Sequence, residues 1–345
     1  MNHFIGALRV VALTLRAIVL LPVGLATYWC TGKTPGFAHQ SLIWLFCVTR
    51  GRSSDLLAKM IARRRPKIAI DSPVGVLGDL RGTLLARYLE KLRTDGYIVF
   101  ESALSSEACD RLLRFARDTP AQPRRMDGQA EAEPREALFD PARPSAVRYD
   151  YSERVLLDNP DVQSLLADPS ILALTQEYLG APPLADVLNM WWHTNYHAQP
   201  DAQAAQFFHF DMDRIKWLKV FIYLTDVGTD NGPHTFVRGS HRTGGIPSNL
   251  LLRGYARLTD EEVLKHFPSD SLLEFSAPRG SIIIEDTRGL HKGAHVRGAP
   301  RLILQLQFSD SLFGAVYPKA RITHVIDPAL KKMLVTAPAV YGQYV

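Results

Sequence analysis

From about residue 184 the chain becomes a succession of strand-length apolar segments separated by turn residues: LADVLNMWWHT, QFFHFD, WLKVFIYLT, HTFVRG, SLLEF, SIIIED, HKGAHV and RLILQLQF. Eight short segments punctuated by Gly, Pro, Asn and Asp bury their apolar faces together only by closing into a barrel or a two-sheet sandwich. Several alternate with a period of two, which sends successive side chains to opposite faces. In 217–225, Leu218, Val220, Ile222 and Leu224 oppose Trp217, Lys219, Phe221 and Tyr223; in the last segment, Leu302, Leu304, Leu306 and Phe308 oppose Arg301, Ile303, Gln305 and Gln307. The aliphatic faces are expected to pack on helices, and the mixed faces to line a cavity. The expected architecture is mainly β with N-terminal helices, a jelly-roll-type body over about 184–310.

Residues 67–183 read as a helical lead-in. Leu84, Leu85, Tyr88, Leu89 and Leu92 recur at helical spacing and Gly96 supplies a stop; YIVF at 97–100 is a short strand; Ser105, Ser106 and Glu107 look like a helix start. A further helical stretch runs from Asn159-Pro160 to Leu179, closed by Gly180. Between them, 120–144 is rich in proline and charge without periodicity, a long loop or a lid over a site.

The net charge of +5 is unevenly placed. Residues 1–70 hold ten Lys/Arg and a single acid, Asp55, a local +9 that leaves −4 for residues 71–345. The basic end therefore belongs to residues 1–66, up to the cluster ARRRPK, and the body offers no basic track for a nucleic acid. That end is also apolar: AIVLLPVGLATYWCTG separates Arg16 from Lys33, and SLIWLFCV follows. Sixteen uncharged residues broken by Pro22 are short for a span of about 20. Two readings stay open, a membrane-surface anchor with basic flanks and helices packed on the body. The three cysteines, Cys30, Cys47 and Cys109, show no regular spacing and fit a reducing compartment. The expected location is cytoplasmic, peripheral on the inner face of the cell membrane.

The chemistry starts at His209-Phe210-Asp211. On a strand, His209 and Asp211 project from one face, and two such ligands with one distant histidine can occupy a face of an octahedral iron(II), leaving positions for co-substrate and oxygen. The bare pattern decides nothing, since with 11 His and 35 acids in 345 residues about one His-x-acid is expected by chance. His291 and His295 both offer a third ligand from one face of an extended segment.

The wider order of motifs decides more. His209-Phe210-Asp211 is followed by Asn231-Gly232-Pro233, Gly239-Ser240-His241, a Gly280-led strand, His291 and, ten residues on, Arg301. Together with DGYIVFESALSSEACDRLLRFA, this set resembles the phytanoyl-CoA dioxygenase family of iron(II)- and 2-oxoglutarate-dependent oxygenases over roughly residues 90–310. Two positions depart from the family's pattern. Ser281 stands where an acid usually follows the glycine, and Lys292-Gly293 follows His291 where relatives often carry a small hydroxyl residue.

The resemblance implies a double-stranded β-helix with His209, Asp211 and His291 on Fe(II), the step to Arg301 favouring His291 over His295. It implies 2-oxoglutarate as co-substrate with Arg301 on its remote carboxylate, a buried cation being costly unless paired, and O2 as oxidant. Phe221 and Tyr223, with Asn189 on VLNMWWHT, are expected to line the co-substrate pocket, Tyr223 as a hydrogen-bond donor. The implied activity is hydroxylation of an unidentified small or lipid-like substrate through a ferryl intermediate, with succinate and CO2 released. A cupin-type metal-dependent isomerase or hydrolase without 2-oxoglutarate, and a non-catalytic β-helix binding module, are the rival readings; the oligomeric state is not legible.

Overall fold

The computed structural model of the chain describes residues 2–124, 135–202, 204–254, 257–318 and 320–345, apart from the side chains of residues 2–7. Three helices come first, α1 (Asn2–Thr31), α2 (Gly36–Thr49) and α3 (Arg52–Arg64), then a small ribbon of β1 (Val74–Gly75) and β2 (Gly78–Asp79). The lead-in follows as α4 (Leu84–Asp95), β3 (Tyr97–Phe100), α5 (Ser106–Asp118), β4 (Gln122–Arg124), β5 (Arg148–Asp150), α6 (Glu153–Leu157), α7 (Pro160–Leu166) and α8 (Pro169–Leu179). The body comprises β6 (Leu184–His193), β7 (Trp217–Tyr223), β8 (His234–Val237), β9 (Leu272–Phe275), β10 (Ile282–Glu285), β11 (His291–Gly293) and β12 (Arg301–Ser309), with short helices between β8 and β9 and after β12.

A seven-stranded sheet, ordered β3-β10-β7-β12-β6-β5-β4, faces a three-stranded sheet, β11-β8-β9. This is the double-stranded β-helix expected from the motifs. The barrel reaches back beyond 184, because β3, β4 and β5 of the lead-in complete the larger sheet. QFFHFD forms no regular strand; it is tied by bridges from Phe208 to Leu258 and from His209 to His291, which extend the smaller sheet past β11.

Alternation assigns the two faces of the larger sheet. Leu188, Met190, Leu218, Val220, Ile222, Ile284, Leu302, Leu304 and Leu306 join Leu92, Leu112 and Leu172 of the lead-in helices in one apolar core. The opposite face looks into the barrel. Gly96 makes the turn from α4 into β3: it closes the helix at φ 94°, and a Cβ there would meet His241 Nδ1 at 2.5 Å and Phe236 at 2.8 Å. Ser105 caps α5, its hydroxyl accepting from the Ala108 N–H. The single helix expected over 160–179 is instead two, because Pro169 cannot continue α7; Asp168 caps the second, accepting from the N–H groups of Ser170 and Ile171. Gly180 ends it at φ 74°.

The N-terminal helices form a second core with the barrel. Leu42, Leu45 and Phe46 of α2 and Ala58 of α3 pack with Phe208, Phe210, Met212, Ile215 and Trp217, while α1 lies over α2 through Ala17 and Leu21. α1 runs unbroken through Pro22, which lies on its exposed side. Asp55, the single acid of the first seventy residues, closes the contact: Arg288 Nη1 donates to it at 2.9 Å while Nε and Nη2 hold Asp286, and Thr243 donates to its other oxygen. Removing one partner of a buried guanidinium costs about 1–3 kcal/mol. Asp55→Ala is therefore expected to lower stability to urea by that amount, and an unchanged midpoint would show that Asp286 alone sustains Arg288.

Candidate metal centre and co-substrate pocket

Backbone pairing brings the two distant histidines together. His209 N–H donates to His291 O at 3.0 Å and His291 N–H to His209 O at 2.9 Å, and Asp211 N–H donates to Thr287 O at 2.8 Å. The three side chains converge so that their donor atoms lie within 4.8 Å of one another. His209 Nε2 stands 3.8 Å from Asp211 Oδ1, and His291 Nε2 stands 3.4 Å from Asp211 Oδ2.

Each ring is oriented by its other nitrogen. His209 Nδ1 meets the Phe207 carbonyl at 2.9 Å and His291 Nδ1 the Gly289 carbonyl at 3.0 Å. A carbonyl only accepts, so Nδ1 carries a proton and, in the neutral ring, Nε2 keeps its lone pair on the side of Asp211. That is the tautomer a metal-binding imidazole needs. Burial, then the neighbouring His291, keep His209 well below the ordinary histidine range. Burial also works against ionised Asp211, but the Lys219 ammonium overrides it and holds the carboxyl well below its usual range. The donor set fits a divalent metal.

Lys219 is the residue the sequence placed on the inner face without a role. Its ammonium donates to Asp211 Oδ2 at 2.5 Å and lies 3.5 Å from Asp213. His209, Asp211 and Asp213 share one parity, the signal that could have drawn Asp213 in. A second pair went unseen: His234 Nε2 and Glu285 Oε1 are 2.8 Å apart. The contact has ion-pair geometry, yet burial raises Glu285 to about 8 and lowers His234 well below 6.5. Burial thus disfavours the charged form on both sides of this hydrogen bond.

Arg301 is 1% exposed on the inner face of β12. Its Nη2 meets His193 Nδ1 at 2.9 Å, whereas Nε and Nη1 have no hydrogen-bond partner among the described residues. Two buried guanidinium donors without an acceptor are costly, and a carboxylate from a ligand would satisfy them. Gly293 makes the room: a Cβ there would stand 3.1 Å from Nη2.

Arg301, the three candidate ligands, Lys219, Phe221 and Asn189 all line one cavity of about 280 Å3. Arg124, Arg148 and Arg257 line it as well, which the sequence did not foretell. Tyr223 differs from expectation. It is fully buried, its hydroxyl donates to Phe275 O at 3.1 Å and accepts from the His234 N–H at 2.9 Å, so its one proton is committed to the protein. His295 stands outside the convergence, 3.3 Å from Gln206 Oε1. The lid expected over 120–144 falls in part on residues 125–134, which lie outside the described residues.

Loss of a true ligand should exceed the about 10–100-fold that removal of an outer-shell partner costs. In anaerobic titration with Co(II), His291→Ala is expected to lose about 100-fold or more in affinity and His295→Ala to stay within about twofold; the reverse order would transfer the third position to His295.

Comparison with known proteins adds a family. The profile described as phytanoyl-CoA dioxygenase matches residues 92–300, more than half of the chain. No curated protein matches the sequence significantly. Among solved structures, the chain is similar to the non-heme alpha ketoglutarate dependent epimerase SnoN from nogalamycin biosynthesis, at 19% identity over 66% of this chain and 83% of that one, TM-score 0.46. It is similar to HygX from Streptomyces hygroscopicus, solved with nickel and 2-oxoglutarate bound, at 16% identity over 68% and 89%, TM-score 0.47. EctD from S. alaskensis gives 18% identity over 74% and 85%, TM-score 0.46. Likeness at this level fixes no residue role in this chain.

Proposed function

This chain belongs to the phytanoyl-CoA dioxygenase family of iron- and 2-oxoglutarate-dependent oxygenases, and we propose that within it the protein is a dioxygenase that hydroxylates a small or lipid-like substrate. The observation that carries the reading is Arg301, a buried cation with two unpartnered N–H groups in the same cavity as the His-Asp-His convergence. A cupin-type isomerase or hydrolase acting on a substrate without an anionic group would leave those donors unmet.

In this reading His209 and His291 hold iron(II) through Nε2, and Asp211 holds it through one carboxylate oxygen. When bound, the metal and 2-oxoglutarate supply oxidative decarboxylation, with succinate and carbon dioxide released, and the oxidant for a C–H bond. The chain supplies position. The Nδ1 bonds to Phe207 and Gly289 keep both imidazoles aimed, with Nε2 toward Asp211. Lys219 occupies the other oxygen of Asp211, keeping it ionised and restricting it to one ligand atom. A halogenating variant needs the carboxylate's place vacant for halide, and Asp211 fills it. Arg301 takes the remote carboxylate of the co-substrate, with Phe221 and Asn189 as walls that exclude water.

Residues 1–66 would contact an anionic membrane on its cytoplasmic side. The outer face of α1 supports this, with Leu15, Val19 and Trp29 respectively 60%, 65% and 74% exposed and basic residues at intervals around them.

The test is anaerobic titration of the iron(II) protein with 2-oxoglutarate, read by the metal-to-ligand charge-transfer band. Arg301→Ala should raise the co-substrate concentration needed by about 30-fold or more, since truncating one partner of a buried charge pair costs about 2 kcal/mol at least. No band in the wild type would sink the 2-oxoglutarate reading. Turnover then separates the reactions: a product that gains one oxygen atom is hydroxylated, and one of unchanged mass points to an epimerase.

A further inference from the structure

α1 presents an apolar stripe that no described residue covers. Leu8, Val11, Leu15, Ile18, Val23 and Trp29 follow helical spacing along one face and are all more than half exposed. From Leu8 to Trp29 the stripe is about 33 Å long at 1.5 Å per residue. Patches of this kind mark contact surfaces, and basic side chains accompany this one: Arg9 and Arg16 on the same helix, and Arg64 of α3 over Trp29.

At the C-terminal end of the stripe a cleft of about 360 Å3 opens between α1, α3 and the barrel. Leu25 and Tyr28 form one wall, Leu57 and Ile61 the opposite wall, and Ile215 and Phe313 the floor. The floor is deep: Ile215 is 1% exposed and Phe313 fully buried, with Tyr28 packed edge-on against Phe313 at 5.5 Å. The rim is cationic. Arg64 lies over the Trp29 ring at 5.3 Å, and Arg65 donates to Asp310 O at 3.0 Å. Among the described residues no acid lines the cleft. It shares no lining residue with the catalytic cavity.

An apolar slot of a volume typical of ligand pockets, lined by the two guanidinium groups of Arg64 and Arg65 and continuous with an apolar helix face, suits a chain with an anionic head. We propose that this cleft takes one acyl chain of an anionic membrane lipid, its headgroup held at Arg64, so that the protein is seated on the bilayer by a withdrawn lipid tail as well as by surface contact. The inference rests on the membrane-surface reading of residues 1–66 and goes further, to a discrete lipid site. Two features select the occupant. The +9 carried by residues 1–70 complements an anionic bilayer, and Trp29 beside Arg64 is the pairing of amphipathic ring and cation found at membrane interfaces.

The experiment uses the full chain and vesicles of phosphatidylcholine with phosphatidylglycerol, the latter carrying a diazirine in its acyl chain. After flotation and irradiation, crosslinked peptides are mapped by mass spectrometry. Crosslinks are expected on the cleft floor, at Ile215 and Phe313, in addition to the outer face of α1. Ile61→Trp, which fills the cleft, should lower the floor crosslinks by about tenfold or more, the effect of excluding roughly two methylenes. Its α1 crosslinks and metal binding should persist, which shows that the variant is folded. Arg64→Gln, a surface change, should reduce the floor crosslinks from phosphatidylglycerol and not those from a diazirine phosphatidylcholine. Crosslinks confined to the outer face of α1 would overturn the cleft and leave the surface reading standing. Floor crosslinks that survive Ile61→Trp would also overturn it. Protein that stays off the vesicles altogether would overturn both.

Discussion

The pairing of β12 with β6 on one side and β7 on the other sets the terms for everything else in the molecule. In that register Arg301 lies opposite His193, Ile303 between Trp191 and Tyr223, and Gln305 between Asn189 and Phe221. A slip of one residue would send every polar side chain into the helical core and every leucine into the cavity. The apolar face makes such a slip prohibitive, because Leu302, Leu304 and Leu306 are fully buried against the lead-in helices. The hydrophobic side of the sheet thus fixes the position of chemistry on the other side.

On that inner face the charges are arranged by what each can be paired with. Lys219 is satisfied by Asp211 and Asp213, so the carboxylate beside the two imidazoles stays ionised in spite of burial. His234 and Glu285 answer one another across a hydrogen bond in which burial disfavours charge on either side. Arg301 stands apart, with part of its guanidinium left without an acceptor. Two buried guanidinium N–H groups without an acceptor, in the cavity that His209, Asp211 and His291 also line, would suit an anion that arrives from outside.

Much of this was legible because period-two alternation is a strong signal. The two faces of β7 and β12 could be assigned from the letters alone, as could the helix stop at Gly96 and the cap at Ser105. The ordered motifs located His209, Asp211, His291 and Arg301, which the structure gathers around one cavity. Other features were not legible, for physical reasons. The break at Asp168-Pro169 lay inside a continuous apolar pattern that proline overrides. The hydroxyl of Tyr223 is committed by Phe275 and His234, partners more than ten residues away in sequence. Strands as short as β4 and β5 have too few residues to show alternation. The helices of residues 1–66 left two readings open in the sequence; in the structure α2 is buried on the barrel, while α1 turns an apolar face outward.

The contact between Asp55 and Arg288 ties the outside of the protein to its centre. Arg288 lies three residues before His291, in the turn whose Gly289 carbonyl fixes that ring. The helical layer is therefore a structural abutment for the candidate metal centre. A shortened chain that began at the body would strip Phe208, Phe210 and Trp217 of their cover and leave Arg288 with one carboxylate fewer, at the root of the third ligand. Selection cannot tune the surface-facing helices and the candidate metal centre as separate modules: a change that tilts α3 is also a change in how firmly His291 is held.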